Sequence, residues 1–260
     1  MSTDLKIFKI GGGILDDMVE LRRFLAELAR VPGPKLLVHG GGKGASQLLA
    51  QLGIAPRLVQ GRRITDAATL DIVTMFYAGK TNKQVVALLQ AEGVNALGLS
   101  GADGNVIRAV KRPVTDIDYG FVGDLPADAV DAGLLGQLLQ SGLLPVLCAI
   151  THDGQGQLLN TNADTIASAV ARALTPHYAV ELHFCFEKNG VLADVNDDDS
   201  VIPQLTAAQY QQLRSAGVIA AGMVPKLDNA FAALEAGVAR VVIEHAQRIN
   251  ESVKTILCRS

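Results

Sequence analysis

The chain contains no run of about 20 apolar residues, the length that a membrane span needs. Its first residues, MSTDLKIFKIGGG, lack the charged segment and long apolar stretch of a secretory leader. These absences predict a cytoplasmic protein with no membrane partner. Cysteine is scarce as well: Cys148, Cys185 and Cys258 each lie in or beside an apolar run, with none of the short pairwise spacings of metal sites or redox motifs. They read as buried free thiols. There is no excess of positive charge and no local Lys/Arg cluster, and the formal net charge is -3, so nothing gathers nucleic acid. A small anionic substrate would need positive charge concentrated at one place.

Repeats, low-complexity stretches and Pro/Gly/Ser linkers are also missing. The one seam lies at Thr175 and Pro176, where a helical pattern ends and a strand begins. Two continuous lobes, 1–175 and 176–260, are expected rather than tethered domains.

Apolar residues make up 49% of the 260 positions, enough for a substantial core. Short apolar runs alternate with helical-period stretches, the pattern of parallel strands joined by crossover helices, so the class is α/β. Strands are expected over 5–10, 35–39, 94–99, 143–150, 179–186, 239–243 and 254–258. Helices are expected over 18–30, 44–52, 128–139, 162–174, 206–215 and 224–235. Asp66 caps a helix whose Leu70, Val73 and Tyr77 share a face, and Gly79 interrupts it before a second helix over 82–92. Residues 106–110 and 119–122 read as a β-hairpin or flap.

Five segments carry candidate chemistry. FKIGGG puts Lys9 inside the first strand and glycines directly after it, where bare backbone N–H groups can approach a phosphate; the bland alternative is a glycine turn beside a solvated lysine. The spacing is neither G-x-x-x-x-G-K-[ST] nor G-x-G-x-x-G. HGGG, from His39 to Gly42, repeats the arrangement after the second strand, and no G-x-S-x-G elbow accompanies it to make an esterase. GRRIT offers adjacent arginines whose side chains point opposite ways in an extended segment, one toward a site and one toward solvent. In LNTNAD, capping explains Asn162 and Asp164 but does not require Asn160. GMVPK sets Lys226 in a first helical turn, where the macrodipole disfavours a cation unless an anion is near. Asp197 to Asp199 reads as a solvated acidic turn, and His152, His177, His183 and His245 show no metal-ligand spacing.

Taken in order, KIGGG, HGGGKG, GRRIT, LNTNAD, NGVL and GMVPK resemble the amino-acid kinase family over essentially the whole chain, and within it most resemble the acetylglutamate kinases. The resemblance implies a three-layer sandwich around a mainly parallel open sheet. It implies that ATP with Mg2+ phosphorylates the side-chain carboxylate of N-acetylglutamate or N-succinylglutamate, the second step of arginine biosynthesis. Lys9 and Lys226 match lysines that stabilise the transferring phosphoryl group, with Asp164 holding both. Gly11 and Gly12 match phosphate donors; Gly41, Gly42, Arg63 and Asn160 match the acylglutamate site. Glu187, Lys188, Asn189, Gly190, Val191 and Leu192, with Val218, Ile219 and Ala220, match nucleotide-contacting regions. The lobe 1–175 would hold acylglutamate and the dimer surface, and 176–260 would hold ATP.

The sequence departs from the family at CFEKNGVL, where most relatives carry Ser or Thr followed by Asp and Val, and at Ala221, where some carry Asp. The CFEK variant resembles a subgroup associated with a succinylated arginine pathway. Eight residues precede Lys9, so the resemblance further implies a homodimer through 66–92 with little arginine inhibition. Two rivals stand beside this reading: a sister kinase acting on aspartate, glutamate, carbamate, a nucleotide or an aminoadipate derivative, and a non-catalytic nucleotide-binding regulator.

Overall fold

Leu5, Ile7, Phe8 and Ile10 are all sealed from solvent, so the first strand is buried on both faces, as the middle of a parallel sheet requires. The computed structural model describes residues 3–41, 43–59, 62–219 and 222–259. The strands are β1 (Thr3–Ile10), β2 (Lys35–His39), β3 (Leu58–Val59), β4 (Arg62–Arg63), β5 (Ala96–Leu99), β6 (Val110–Lys111) and β7 (Gly123–Asp124). They continue as β8 (Leu144–Leu147), β9 (Ile150–His152), β10 (Leu158–Asn160), β11 (Tyr178–Phe186), β12 (Gln204–Thr206), β13 (Arg240–His245) and β14 (Lys254–Cys258). Eight of them form one sheet in the order β12-β14-β13-β11-β1-β2-β8-β5. Its neighbours run parallel except β13 and β14. The sheet passes without interruption through the seam expected at Thr175.

The helices are α1 (Gly12–Asp16), α2 (Met18–Arg30), α3 (Gly44–Gln51), α4 (Ala67–Thr74), α5 (Asn82–Ala91), α6 (Ala132–Gln140), α7 (Ala163–Leu174), α8 (Ala207–Ser215) and α9 (Val224–Glu235). Leu21, Phe24, Leu25 and Leu28 of α2 bury one stripe against Phe8, Ile10 and Leu37 on one side of the sheet. Each such side chain stabilises the layer by roughly 1.5–3 kcal/mol. On the other side, Ile166, Ala167 and Val170 of α7 pack on Leu5, Ile7 and Val38, with α9 beside them. The result is three layers. Because α2 and α7 lie on opposite faces, the carboxyl ends of β1, β2 and β11 open on a crevice of the kind where open α/β sheets bind ligands.

Four local expectations change. The helix capped by Asp66 does not stop at Gly79: residues Met75–Thr81 form a π-helical segment that joins α4 to α5. The apolar run over 143–150 divides into β8 and β9, since the chain turns away after Leu147 to pair with β10. Helix α6 begins at Ala132 because Asp131 caps it, its carboxylate accepting from the Leu134 N–H at 2.9 Å. The hairpin pairs Val110–Lys111 with Gly123–Asp124, later in the chain than the sequence suggested on both arms.

Candidate active site

Lys9 sits next to the end of β1, and its ammonium lies 2.7 Å from Asp164 Oδ1. Asp164 is aimed there by α7, whose first turn is fixed by Asn162 accepting from the Thr165 N–H at 3.0 Å. Oδ1 is fully shielded and receives no hydrogen bond of good angle, so its attraction to Lys9 is chiefly ionic. A shielded pair of this kind holds its charge only through close geometry and further partners.

Lys226 enters the same crevice from the first turn of α9. Burial and then the Lys9 charge draw its pKa down, with Asp164 and Glu187 opposing. Its ammonium stands 4.9 Å from the centroid of the Phe186 ring. Among the described residues it is ion-paired with no carboxylate, so the sharing of Asp164 by two lysines is seen for Lys9 alone. An ammonium that is desolvated, repelled by a neighbour and unpaired is primed to take an incoming anion.

Lys9, Gly11, Gly12 and Asp164 are common to two adjoining cavities of about 240 and 180 Å3. The larger also takes in Gly40, Gly41, Arg62, Arg63, Tyr77 and Asn160. Arg63 donates from Nη2 to Ser46 Oγ at 2.7 Å, while Nη1 is buried without a partner. A shielded guanidinium with one arm tied and one arm free is half of a carboxylate clamp. Asn160 is anchored by donating to Thr65 Oγ1 at 3.0 Å, and Thr65 in turn donates to the Arg63 carbonyl at 3.0 Å. Tyr77 presses on Gly41 so closely that a Cβ there would fall 1.4 Å from its ring. Glycine is therefore required by packing, beyond its freedom of conformation.

The smaller cavity is completed by Gly13, Phe186, Glu187 and Lys226. Beyond Phe186 lies a mostly apolar recess of about 60 Å3 lined by Lys188, Gly190, Val191, Leu192, Val218, Ile219 and Met223. Asn189 is outside this lining; its amide donates to the Asp198 carbonyl, and Lys188 pairs with Asp198 at 2.6 Å. Gly42 and Ala220 lie outside the described residues, as does Ala221. A further cavity of about 820 Å3 opens at the opposite, amino ends of β1, β2, β8 and β11. It gathers none of the clustered charges, so the two smaller cavities constitute the candidate site.

The motifs thus converge, with differences. Both Arg62 and Arg63 line the first cavity, instead of one facing solvent. Burial and the neighbouring Arg112 lower the Arg62 pKa, Asp124 offsetting only part, and no carboxylate pairs with Arg62 among the described residues. Tyr77 and Ser46 were not singled out from sequence as site residues. The signal for Tyr77 is the glycine that faces it, and Ser46 has none short of the fold.

A sequence model of the amino acid kinase family matches residues 4–245. The chain is 54% identical over 257 residues to the acetylglutamate kinase of Phocaeicola vulgatus, covering 99% of each. It is 54% identical over 255 residues to the acetylglutamate kinase of Bacteroides thetaiotaomicron, covering 98% of each. Among solved structures, the fold matches smu.665 of Streptococcus mutans UA159 with a TM-score of 0.77 at 24% identity, over 97% of this chain and 98% of that one.

Proposed function

The chain belongs to the amino acid kinase family, and from that premise we propose that it transfers the γ-phosphoryl group of ATP to the side-chain carboxylate of an N-acylated glutamate, giving an acyl phosphate for arginine biosynthesis. The observation that carries this reading is the shared wall of Lys9, Gly11, Gly12 and Asp164 between a cavity holding the half-free Arg63 and a cavity holding Lys226.

The acylglutamate enters the larger cavity with its α-carboxylate on Arg63, supported by Gly41 and Asn160. The nucleotide lies across the apolar recess, with Lys188, Gly190, Val191, Leu192, Val218 and Ile219 around it and its phosphates toward Gly11 and Gly12. The attacking carboxylate is already ionised at neutral pH and needs no general base. The obstacle is repulsion between anions. Lys9 and Lys226 offset it from the two sides of the reacting centre, and Asp164 fixes Lys9. No group of three or more His, Cys, Asp or Glu able to hold a metal exists among the described residues. Among the described residues only Asp164 and Glu187 bring carboxylates to the phosphate cavity, which fits a Mg2+ ion carried mainly by the ATP phosphates and supplying charge neutralisation.

In this account 1–175 forms the acylglutamate lobe and 176–260 the nucleotide lobe of a cytoplasmic homodimer joined through 66–92, where Met75 is exposed. An acetyl group fits the names of the relatives. Arg62, lining the cavity without a carboxylate of its own, favours a second reading in which the acyl group ends in a carboxylate, as succinyl does. Turnover with ATP and Mg2+, trapping the product with hydroxylamine, is compared on N-acetyl- and N-succinylglutamate. Hydroxamate from either supports the kinase reading, preference for the succinyl substrate that is lost in Arg62→Ala supports the second, and no hydroxamate from either sinks both.

A further inference from the structure

Arg63 does not reach its position from β4 alone. Its Nη2 is tied to Ser46 in the first turn of α3. That turn is itself held from outside. Asp16, the last residue of α1, accepts from the Lys43 N–H through Oδ2 at 2.8 Å and from the Gly44 N–H through Oδ1 at 3.1 Å. These are backbone donors at a helix start that have no carbonyl of their own, and a carboxylate is their natural partner. Helix α1 begins at Gly12, so the segment that starts in the phosphate-side glycine turn ends by gripping the helix that braces the substrate arginine. The other side of α3 is closed by Phe76, which approaches Gly44 so that a Cβ there would lie 2.4 Å from Cζ.

We infer that Asp16 and Ser46 are positioning residues for Arg63, linked in series: Asp16 sets the first turn of α3, and Ser46 sets the guanidinium so that its free Nη1 faces the incoming α-carboxylate. Neither residue lines the two cavities, so both act through Arg63 and not from the cavity wall. The chemistry they support is recognition of a carboxylate, and the inference rests on Arg63 being the carboxylate receptor of the proposed reaction. A hydrogen bond to a charged group is worth about 1.5–3 kcal/mol when its partner is left buried and unpaired. A misplaced Arg63 therefore weakens acylglutamate binding by about tenfold or more, while the phosphate side is spared.

The test is steady-state kinetics of the full-length Ser46→Ala, Ser46→Thr and Asp16→Asn variants, with melting temperatures recorded for each. Ser46→Ala is expected to raise KM for acylglutamate about tenfold, to lower kcat far less and to leave KM for ATP in place; Ser46→Thr, which keeps the hydroxyl, restores most of the loss. Asp16→Asn raises the same KM, and the double variant falls short of the product of the single effects because both act through one arginine. Equal rises in both KM values, or effects that multiply, would overturn the serial arrangement. A second readout does not depend on turnover: nitrogen NMR of the arginine side chains is expected to show hindered rotation of the Arg63 guanidinium in the parent protein and freer rotation in Ser46→Ala. Identical rotation in the two contradicts the brace whatever the substrate is, whereas absence of turnover in the parent protein contradicts the kinase reading and leaves the NMR result to decide the brace.

Discussion

Lys9 and Lys226 look alike as motifs but stand in different electrostatic positions, and that separates their variants. Removing Lys9 strands Asp164 in a shielded site, so Lys9→Met is expected to lose about 3 kcal/mol of stability along with catalysis. Lys226 is disfavoured in the fold by burial and by Lys9. Lys226→Met should therefore melt no lower than the parent while kcat falls by about two to three orders of magnitude; urea unfolding read beside turnover checks both. His39 makes a different prediction. Its Nδ1–H donates to the Gly40 carbonyl at 2.7 Å and its Nε2 accepts from Asn82 at 3.1 Å, an arrangement available only to the neutral ring. Burial, aided by the Lys83 charge, brings its pKa down to about 4 from 6.5. The unfolded chain thus binds the extra proton between pH 6.5 and 4, and stability present above 6.5 is lost as the pH falls through that window. The loss amounts to about 3 kcal/mol. Urea midpoints should drop across this window in the parent and drop less in His39→Gln.

Among the elements, α7 couples stability to chemistry most directly, because the cap that starts it also orients Asp164. Asn162→Ala removes the acceptor for Thr165 N–H and should cost about 1 kcal/mol, seen as a lower urea midpoint, together with a reduced kcat as Asp164 loosens from Lys9. Both features were legible in the sequence, since a cap, a first-turn acid and a strand-end lysine are local patterns. The π-helical segment Met75–Thr81 was not. Its widened turn keeps the chain helical past Gly79 and seats Phe76 against Gly44 and Tyr77 against Gly41. Period-3.6 reasoning has no term for the extra residue, and so the glycine read as a break. The position of Arg62 differs from expectation for a related reason: β4 is two residues long and, among the described residues, pairs with β3 alone, so the alternation expected of an extended strand does not govern which way its side chains go.

For the whole molecule, the parallel sheet and its two covered faces followed from the alternation of apolar runs with helical periods, while the strand order did not, because pairing across β1 between β2 and β11 joins segments over 130 residues apart. That distant pairing is what assembles the site: it sets the glycine turn after β1 between the arginine side, reached from β2, and the Lys226 side, reached from β11. At this junction, in the proposed reaction, the phosphoryl group passes to a side-chain carboxylate. The most direct measurement uses acylglutamate labelled with oxygen-18 in that carboxylate, ATP, Mg2+ and hydroxylamine, with the released phosphate read by phosphorus NMR. Attack by the carboxylate predicts one labelled oxygen in each phosphate. Unlabelled phosphate, the product of attack by water on ATP, would contradict the account.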